Sequence, residues 1–386
     1  MKIAFDAQLF LGGDKTGIAW NAHNLIKELL KDTEHEYTLQ CMKGRHAASQ
    51  LYRLSEYQKA GGRIEYCSRC SYTLYKLLWI LVPVPHRFFF RTKADISQFF
   101  NYAVPPGASG KRVTFIYDMA YRACPWTMNR KTRIWLELCM KKTCRHASHI
   151  VTVSKFSKRE IMKYLGIPDD KISIVPCALN HAVYHPHYTK TQIQKVRSRY
   201  GIAQEYFLYV GTIEPRKNLE RLIGAYAKLC KANKDVPQLV LAGKKGWLCE
   251  GIYQKVQRLH LEKQVLFTGY VRQEDSPVLM CGAEAFVFPS LYEGFGMPPL
   301  EAMACGTPVI TSNTTALREV AADAAITVGP KSEREICQAM QLVLKDSRYR
   351  EILRRRGLER AAAYTWEKSA KMLMEVYQKL YQENDG

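Results

Sequence analysis

Two glutamates flank a glycine loop in the segment LYEGFGMPPLEAMACGTPVI, residues 291–310. Glu293 stands directly before Gly-Phe-Gly, and Glu301 follows eight positions later, beyond two prolines. The apolar run before the segment predicts a buried strand, the glycines allow the backbone to approach a ligand closely, and a proline suits the first turn of a helix. We therefore expect Glu293 on the loop and Glu301 in the first helical turn, bracketing different parts of one elongated ligand. The simpler alternative leaves Glu293 exposed and gives Glu301 only a stabilising role at the helix N-terminus.

A second loop carries two adjacent cations. The segment YVGTIEPRKNLERLIGAYAKL predicts a strand ending at Gly211, a loop with Arg216 and Lys217, and a helix that Asn218 can cap. Amide donors, the positive end of the helix dipole and two fixed charges together favour a diphosphate at such a place. A solvated Arg-Lys turn is the alternative, and the neighbouring glutamate loop favours the diphosphate site.

The elements that position these loops alternate between strand and helix. Short apolar runs rich in β-branched or aromatic residues recur between helical stretches: KIAFDA, RVTFIYD, HIVTVS, ISIVP, YFLYVG, QLVLAG, VLFTGY, AFVFPS and PVITS. The alternation predicts parallel sheets in the doubly wound α/β class. Ligands of such sheets lie outside the carboxyl ends of the strands, where both loops are expected.

The chain is long enough for two domains. Its 386 residues, 47% of them hydrophobic and 24% charged, have ordinary globular composition. A linker of weak apolar periodicity follows ISIVP, and we therefore predict domains at residues 1–183 and 184–386. The final segment, about 366–381, has apolar residues at helical spacing and is long enough to pack back on the first domain. Two facing domains of this kind would form a deep cleft.

The amino-terminal segment and the cysteines predict a cytoplasmic protein. MKIAFDAQLF reads as a strand and not as a signal peptide, and the longest apolar run, LLWILV, is far shorter than the roughly 20 residues of a spanning helix. Twelve scattered cysteines suit a reducing compartment. Cys67 and Cys70 have metal-ligand spacing without a second half-site, so we predict no metal.

The formal net charge is +21 and is uneven along the chain. Residues 1–190 contain 29 Lys and Arg against 14 Asp and Glu, whereas the remainder contains 28 against 22. Nucleic acid, anionic lipid and phosphorylated small molecules all suit such a field. The basic residues are spread without a recognisable nucleic-acid module or a stacking platform, so we do not expect nucleic acid as a partner.

The motifs GTIEPRKN, FTGYV and SLYEGFGMPPLEAMACGTPVITSNTTALREVAADAAI resemble those of the retaining, nucleotide-sugar-dependent glycosyltransferases of family 4. The glutamate pair matches that family's E-x7-E motif, and the likeness is closest over about residues 207–330. GGDKTGIAWNAHNLIKEL and VTVSKFSKREI fit the family's N-terminal domain. The resemblance implies the GT-B fold: two Rossmann-like domains facing across a cleft, the first binding the acceptor and the second the nucleotide sugar.

The resemblance also implies roles for matching positions. Arg216 and Lys217 would bind the donor diphosphate and stabilise the departing nucleotide. Glu301 would accept hydrogen bonds from the ribose, and Glu293 would hold hydroxyls of the transferred sugar. Other positions implied at the donor are Gly211, Thr212, Tyr270, Val271, Gly294, Phe295 and Gly296. The acceptor side would contain Gly12, Gly13 and Gly17. No metal or other cofactor is implied, and the co-substrate would be a GDP- or UDP-linked sugar.

Three positions depart from the family pattern. Tyr117-Asp118 stands where many members have His-Asp; Asp118 is carried over as a catalytic residue, whereas a tyrosine is no base near neutral pH. Thr212 occupies the place of an arginine that some members have after the strand. The linker reads PCALNH where many relatives have Asn-Gly.

The acceptor side is less specific. Residues 72–93, YTLYKLLWILVPVPHRFFFRTK, interleave aromatic and cationic residues, which suits peripheral contact with an anionic leaflet at the inner face of the plasma membrane; a core helix followed by a loop is the alternative. The function predicted is transfer of a hexose, such as mannose, to a cell-surface polysaccharide or lipid-linked glycan. A nucleotide-sugar epimerase or hydrolase of the same fold is the alternative enzyme, and the intact PRK and glutamate motifs argue against an inactive relative.

Overall fold

The computed structural model describes residues 1–12, 16–42, 47–69, 71–82 and 84–383. Thirteen strands occur in these ranges: β1 (Lys2–Asp6), β2 (Glu36–Met42), β3 (Arg63–Cys67), β4 (Ile96–Phe99), β5 (Lys111–Phe115), β6 (His149–Thr152), β7 (Ile172–Ile174), β8 (Tyr206–Val210), β9 (Gln238–Ala242), β10 (Val265–Gly269), β11 (Ala285–Phe288), β12 (Val309–Ser312) and β13 (Ile326–Val328).

The same ranges contain fifteen α-helices: α1 (Gly17–Leu29), α2 (Ala47–Lys59), α3 (Tyr72–Leu81), α4 (Ala120–Ala123), α5 (Arg130–His146), α6 (Lys155–Leu165), α7 (Lys190–Arg199), α8 (Leu219–Ala232), α9 (Glu250–Arg258), α10 (Ser276–Cys281), α11 (Met297–Ala304), α12 (Thr315–Ala321), α13 (Glu333–Lys345), α14 (Ser347–Ala362) and α15 (Trp366–Gln382).

The chain forms two compact units. One contains residues 1–121, 130–178 and 366–386, and the other contains residues 122–129 and 179–365. Helix α15 therefore belongs to the first unit, where it packs against α1 and where the Tyr377 hydroxyl donates to Gln98 Oε1 at 2.8 Å. Residues 179–183 belong to the second compact unit. The domain boundary between residues 183 and 184 stays a prediction.

Each unit is built on one sheet, and within the described residues every strand pair is parallel. The strands of the first sheet follow the order β3-β2-β1-β4-β5-β6-β7. Those of the second follow β10-β9-β8-β11-β12-β13. Each order grows in one direction from its first strand and then reverses, so β1/β4 and β8/β11 are the two topological switch points.

The sequence predicts nine of these strands, and four others lack a strong signal. Two missed strands, β3 and β13, lie on sheet edges, and β13 has only three residues, ITV. The missed β2 and β4 lie inside the first sheet, where pairing on both sides buries polar side chains such as Gln40 and Ser97. Tertiary pairing overrides the weak local propensity of these segments.

The second sheet is covered by helices whose apolar faces are buried. In α8 the residues predicted to form that face, Leu219, Leu222, Ile223 and Tyr226, have no exposed surface. Removal of side chains of this size from water stabilises the fold by about 2 kcal/mol each. This packing holds the N-terminus of α8, and with it the preceding loop, beside the carboxyl end of β8.

Candidate active site

Both motif loops lie at the switch point of the second sheet. The loop with the two cations follows β8, and the glutamate loop follows β11, the strand paired with β8. The loops contact each other directly, because the Leu291 amide donates to the Arg216 carbonyl at 2.8 Å and the Ser290 hydroxyl to the same carbonyl at 3.0 Å. The two motifs, about 80 residues apart in sequence, therefore form one site.

The loop after β8 is tightly constrained at its start. Gly211 has a φ of +155°, and a Cβ atom on Gly243 would lie only 1.8 Å from the Gly211 carbonyl oxygen. Thr212 is exposed, and its carbonyl accepts from the buried Tyr209 hydroxyl at 2.9 Å. A short 3-10 turn, Pro215–Lys217, then carries both cations to the start of α8.

Asn218 stands at the N-cap position of α8, but its side chain does not cap the helix. Its backbone is left-handed, with φ +63°, and its amide donates to the carbonyls of Pro289 and Pro330 at 2.9 and 2.6 Å. The capping predicted from the sequence is therefore wrong in its physical role. Buried carbonyls of two other loops compete successfully for this side chain, which ties the cation loop to the glutamate loop.

Glu293 is the centre of a buried ionic cluster. Its Oε1 accepts from Lys217 Nζ at 2.6 Å and from the Ser290 hydroxyl at 2.7 Å. Its Oε2 lies 2.8 Å from Arg216 Nη1. The side chain is only 12% exposed, so Glu293 is neither a solvated carboxylate nor isolated on the loop.

Burial and neighbouring charges shift the pKa values of Glu293 and Lys217 in this cluster. Burial alone would raise the pKa of Glu293, but the charges of Arg216 and Lys217 outweigh it and lower the pKa to about 2. Burial and the neighbouring Arg216 lower the pKa of Lys217, and the carboxylate of Glu293 opposes them. Glu293 is consequently a permanent anion at neutral pH that holds two cations in place.

Glu214 is the second carboxylate of the cluster. Its Oε1 lies 2.7 Å from Arg216 Nη2, and its side chain is 2% exposed. Nη1 of Arg216 also donates to the Tyr292 carbonyl at 2.8 Å. The guanidinium is thus held by both loops, which fixes its plane and leaves less rotamer entropy to be lost on binding an anion.

Glu301 lies in the second turn of α11, not in the first as predicted. The helix begins at Met297, with Pro298 as its second residue, so the position of Glu301 is one turn further along. Its partner is the hydroxyl of Tyr184, from the linker after the first sheet. Burial raises the pKa of Glu301 to about 7, against the opposing effect of that hydrogen bond. The pKa values of the two glutamates therefore differ widely, because Glu293 is surrounded by cations and Glu301 is buried without one among the described residues.

The glycine loop between the two glutamates packs closely within its own unit, and the approach to a ligand predicted from its glycines stays a prediction. Gly296 has φ +118°, and a Cβ atom there would lie 2.7 Å from a methyl group of Leu317. Phe295 is buried with its ring edge on Tyr364, at 5.7 Å between centroids, and Gly294 is also buried. Gly306, with φ +72°, follows the end of α11 as expected for a helix stop.

Tyr270 and Val271 follow β10 and differ in exposure. Val271 is buried, whereas Tyr270 is 56% exposed, with Lys244 Nζ 4.4 Å from its ring centroid. Lys244 follows β9, the strand between β8 and β10, so it extends the row of cations along this edge of the sheet. The contact of Tyr270 and Val271 with a nucleotide base stays a prediction.

The remaining predicted site residues lie in the first unit. Asp118 follows β5, is partly buried, and accepts from the Ala120 amide at 2.9 Å. Tyr117 is buried and accepts from Asn21 Nδ2 at 3.2 Å. Gly12 is exposed and Gly17 is the first residue of α1, which Thr16 caps through its hydroxyl. Gly13 lies outside the described residues, as does Cys70 of the CSRC pair.

Sequence reasoning missed four side chains of the second unit's site: Glu214, Ser290, Lys244 and Tyr184. Glu214 and Ser290 stand beside the motifs that were singled out, and their position at a strand end was the available signal. Tyr184 stands in a linker without periodicity and could not be assigned to Glu301 from local pattern. Within the described ranges, no group of three or more His, Cys, Asp or Glu side chains is arranged to hold a metal ion.

Comparisons with known proteins agree in kind for both halves of the chain. The model of "Glycosyltransferase Family 4" matches residues 16–183, and that of "Glycosyl transferases group 1" matches residues 192–360. The O-antigen chain mannosyltransferase B of Escherichia coli is 36% identical over 272 residues, which cover 70% of this chain and 71% of that protein.

Two further matches show the extent of the similarity. The serotype-specific mannosyltransferase WbdA of Escherichia coli is 32% identical over 238 residues, 61% of this chain, but the match spans only 29% of that longer protein. Sucrose-phosphate synthase from Thermosynechococcus elongatus superposes over 99% of both chains with a TM-score of 0.74 at 20% identity, a likeness of fold.

Proposed function

The chain belongs to glycosyltransferase family 4 and has its two-domain GT-B fold, and from that premise we propose that it transfers mannose from a nucleotide diphosphate sugar to a surface glycan with retention of configuration. The ionic cluster at the end of β8 carries this proposal. It presents Arg216 and Lys217 side by side, already oriented by Glu214 and Glu293. Cations fixed in this way suit a leaving diphosphate.

The proposed chemistry is electrostatic stabilisation of the departing nucleotide diphosphate. As the bond between the anomeric carbon and the diphosphate oxygen breaks, negative charge grows on that oxygen, next to Arg216 and Lys217. These two cations do not need to reorganise, because Glu293 and Glu214 hold them before the donor binds. The chain's own cations supply the positive charge, so no metal cofactor is proposed. The acceptor hydroxyl attacks the anomeric carbon from the face that the diphosphate leaves, and its proton passes to the departing diphosphate oxygen on that face.

Glu293 has limited capacity for the transferred sugar. A carboxylate offers about four lone-pair sites, and Glu293 already engages Lys217, Ser290 and Arg216. We therefore propose that sugar hydroxyls use its remaining lone pair together with the amides of the glycine loop after it. Glu301, on α11, is proposed to accept hydrogen bonds from the ribose in its carboxylate form.

The choice of mannose and of a surface glycan is supported by the relatives. Mannosyltransferase B is 36% identical and WbdA 32% identical, and both are described as mannosyltransferases, the first of the O-antigen chain. GDP-mannose is the first donor to test, and a UDP-linked sugar is the second.

The proposal is tested by incubating the full chain with a panel of nucleotide sugars, with and without methyl α-mannoside or a mannose oligosaccharide, followed by mass spectrometry of both substrates. We expect the acceptor to gain one hexose and the donor to be consumed only when the acceptor is present. A change in the donor alone would replace this proposal with epimerase or hydrolase activity, and no change with any donor would refute it.

A second proposal concerns contact with an anionic membrane surface. Leu74, Val82 and Phe88 are 46%, 55% and 57% exposed, although Trp79, Phe89 and Phe90 nearby are buried. Arg69 lies 4.9 Å from the ring of Phe88, and Arg87 and Arg91 are exposed. Exposed apolar and basic side chains in one segment suit the headgroup region of an anionic leaflet. In the described part of the chain no helix has the length and apolarity to span a bilayer.

Flotation of the full chain with vesicles containing phosphatidylglycerol, across a salt series, tests this contact. We expect binding at low salt that weakens as salt rises, and weaker binding by a Phe88→Ser variant. Absence of binding at low salt would refute the membrane contact without affecting the proposed transferase activity.

A further inference from the structure

Two cysteines of the second unit lie in contact at the ends of α10 and α11. Cys281 is the last residue of α10, and Cys305 directly follows α11. The Cys281 thiol donates to the Cys305 carbonyl at 3.3 Å, and the two thiols also hydrogen-bond to each other. Both are free thiols. A disulfide needs its two sulfurs to approach to about 2.05 Å, which thiols in contact can reach through short side-chain movements.

The two thiols differ in accessibility and in acidity. Cys281 is partly exposed, whereas Cys305 is 3% exposed. The hydrogen bond from the Cys305 thiol, with the Tyr188 amide and the charge of Arg354, lowers the pKa of Cys281 against the opposing effect of burial. The hydrogen bond to Cys281 and burial raise the pKa of Cys305. An accessible thiol of lowered pKa beside a second, resolving cysteine is the arrangement that redox-sensing pairs have.

The cysteine pair is connected to Glu301 along two routes. The Cys305 amide donates to the Glu301 carbonyl at 3.1 Å, within the last turn of α11. The Cys281 thiol donates to the His185 carbonyl at 3.2 Å. His185 directly follows Tyr184, whose hydroxyl is the partner of the Glu301 carboxyl group. A covalent change at the two cysteines therefore acts on both sides of the contact between Tyr184 and Glu301.

We propose that Cys281 and Cys305 form an oxidation site, which a low-molecular-weight disulfide converts to an intramolecular disulfide that weakens binding of the nucleoside diphosphate at Glu301. This inference rests on the proposed donor role of Glu301 and adds a regulation to it. Oxidation removes the S–H donor of Cys281, so the carbonyls of His185 and Cys305 lose that hydrogen bond. The shorter distance between the sulfurs shifts the end of α11 relative to the linker that carries Tyr184.

The oxidation is a thiol–disulfide exchange in two balanced steps. The Cys281 thiolate, whose proton has passed to solvent, attacks one sulfur of the small disulfide, and a mixed disulfide forms as one small thiolate leaves. The Cys305 sulfur then attacks the Cys281 sulfur, and the second small thiolate leaves with the Cys305 proton. Two protein thiols are oxidised to one disulfide, and one small disulfide is reduced to two thiols. Excess small thiol reverses both steps.

The first test identifies the bond. The full chain is equilibrated with reduced and oxidised glutathione at varied ratios, free thiols are blocked with iodoacetamide, and the digested peptides are mapped by mass spectrometry. We expect a peptide pair linked through Cys281 and Cys305, which returns to free thiols in excess reduced glutathione. Cys230→Ala is the matched control, because it removes another partly exposed thiol of the same unit and should leave this bond unchanged. Glutathione adducts without the Cys281–Cys305 bond, or no oxidation, would overturn the proposal.

The second test measures nucleotide affinity by calorimetry with GDP and UDP. We expect the oxidised chain to bind about 10-fold more weakly than the reduced chain, which corresponds to the loss of about one hydrogen bond. Cys281→Ser retains a donor for the His185 carbonyl but cannot form the disulfide. This variant should bind like the reduced wild-type chain both before and after treatment with oxidised glutathione. Equal affinities of the oxidised and reduced wild-type chains would overturn the proposed regulation.

The coupling is reciprocal, which gives a third measurement. If oxidation weakens nucleotide binding about 10-fold, saturating nucleotide raises the glutathione ratio, oxidised over reduced, at half-oxidation by the same factor. An unchanged ratio would show that nucleotide binding and disulfide formation are independent, against the proposal.

The outcomes separate the oxidation site from the enzyme. Sugar transfer by a chain that forms no Cys281–Cys305 bond would overturn the oxidation site and leave the function in place. A linked peptide from a chain that binds no nucleotide and transfers no sugar would refute the function and the regulation that rests on it, and would retain the oxidation site.

Discussion

The two sheets of this protein share one strand order but differ in what stands at their switch points. In the second sheet, two cations and two carboxylates form a compact ionic cluster after β8 and β11. In the first, aromatic rings and, among the described residues, one carboxylate line a pocket after β1, β2 and β4. The backbone topology thus determines where a ligand binds, whereas the residues that follow each strand determine which ligand chemistry is favoured.

The difference also concerns how each site is held together. The four charged groups of the ionic cluster in the second site are paired with one another, so removal of one leaves a buried charge without its partner. In the first site the indole N–H of Trp79 has no acceptor among the described residues, so its removal should cost the free protein little. Stability should therefore respond strongly to substitutions in the second site and weakly to conservative ones in the first.

The largest effect is expected for Glu293→Ala. It leaves Arg216 and Lys217 adjacent without their shared carboxylate and should lower the free energy of unfolding by about 3 kcal/mol near pH 7. The folded-state pKa of about 2 lies below the ordinary value of 4.5, so this stabilisation is present above about pH 4.5 and is lost as the pH falls toward 2. Urea denaturation at several pH values measures it.

Glu284→Ala is the control for this comparison, because its pair with Arg350 lies nearer the surface of the same unit and should contribute less than about 1 kcal/mol. Equal losses in the two variants at every pH would show that the cluster is an ordinary surface ion pair.

Lys217→Ala should lower kcat by about 100-fold and change the KM for the donor less. Its ammonium group is proposed to act on charge that develops during bond breaking, so the ground state loses less than the transition state. Steady-state kinetics with Lys228→Ala as control checks this, since Lys228 lies in the second half of α8, whereas the cluster loop precedes the helix, and pairs with Glu333 at 2.9 Å. Normal turnover in the Lys217 variant would contradict the proposed role.

Nucleoside diphosphate affinity should increase about 10-fold between about pH 6 and about pH 8 in the wild-type chain, because Glu301 loses its proton near pH 7 and its carboxylate is the better acceptor. Glu301→Gln should bind more weakly and without this pH dependence. The raised pKa also means that Glu301 lowers folding stability as pH rises from about 4.5 through 7. Calorimetric titration at each pH measures affinity, and an unchanged slope in the variant would assign the titration to another group.

The smallest effect sharpens the comparison most directly. Raising the salt concentration from about 0.05 M to about 0.5 M should increase the KM for the donor about 3-fold, because its diphosphate meets cations, and should leave the KM for a neutral acceptor sugar unchanged. Kinetics with each substrate varied at saturating concentration of the other separates the two. Parallel salt dependence would remove the contrast between an ionic and an aromatic site.

Much of the second unit's site could be predicted because its parts are local. Strand, glycine turn and helix follow one another within about 20 residues, so the placement of Arg216, Lys217 and Glu293 after their strands follows from pattern. The errors concern competition between loops: Asn218 binds two distant carbonyls, and α11 begins early enough to carry Glu301 into its second turn. Local propensity contains no information on such partners.

The pocket of the first unit was beyond prediction for the same reason. Its lining comes from β1, β2, α3, β4 and the helix α5, and two of its three strands lack a strong local signal. Trp79 and Tyr75 read from the sequence only as part of an aromatic and basic segment. That both side chains line one pocket is decided only when the strands of the first sheet pair.

The sequence by itself determined the α/β class, the two motif loops and the family, because these depend on periodicity and on residues close together in the chain. Tertiary structure alone decided which charged side chains form pairs and where the aromatic pocket lies. It also decided that Glu293 stays ionised, whereas the pKa of Glu301 is raised. The physical reason is that burial and ion pairing arise between segments that are distant in the chain. The free energy of a charged or polar group depends more on these tertiary contacts than on its neighbours in sequence.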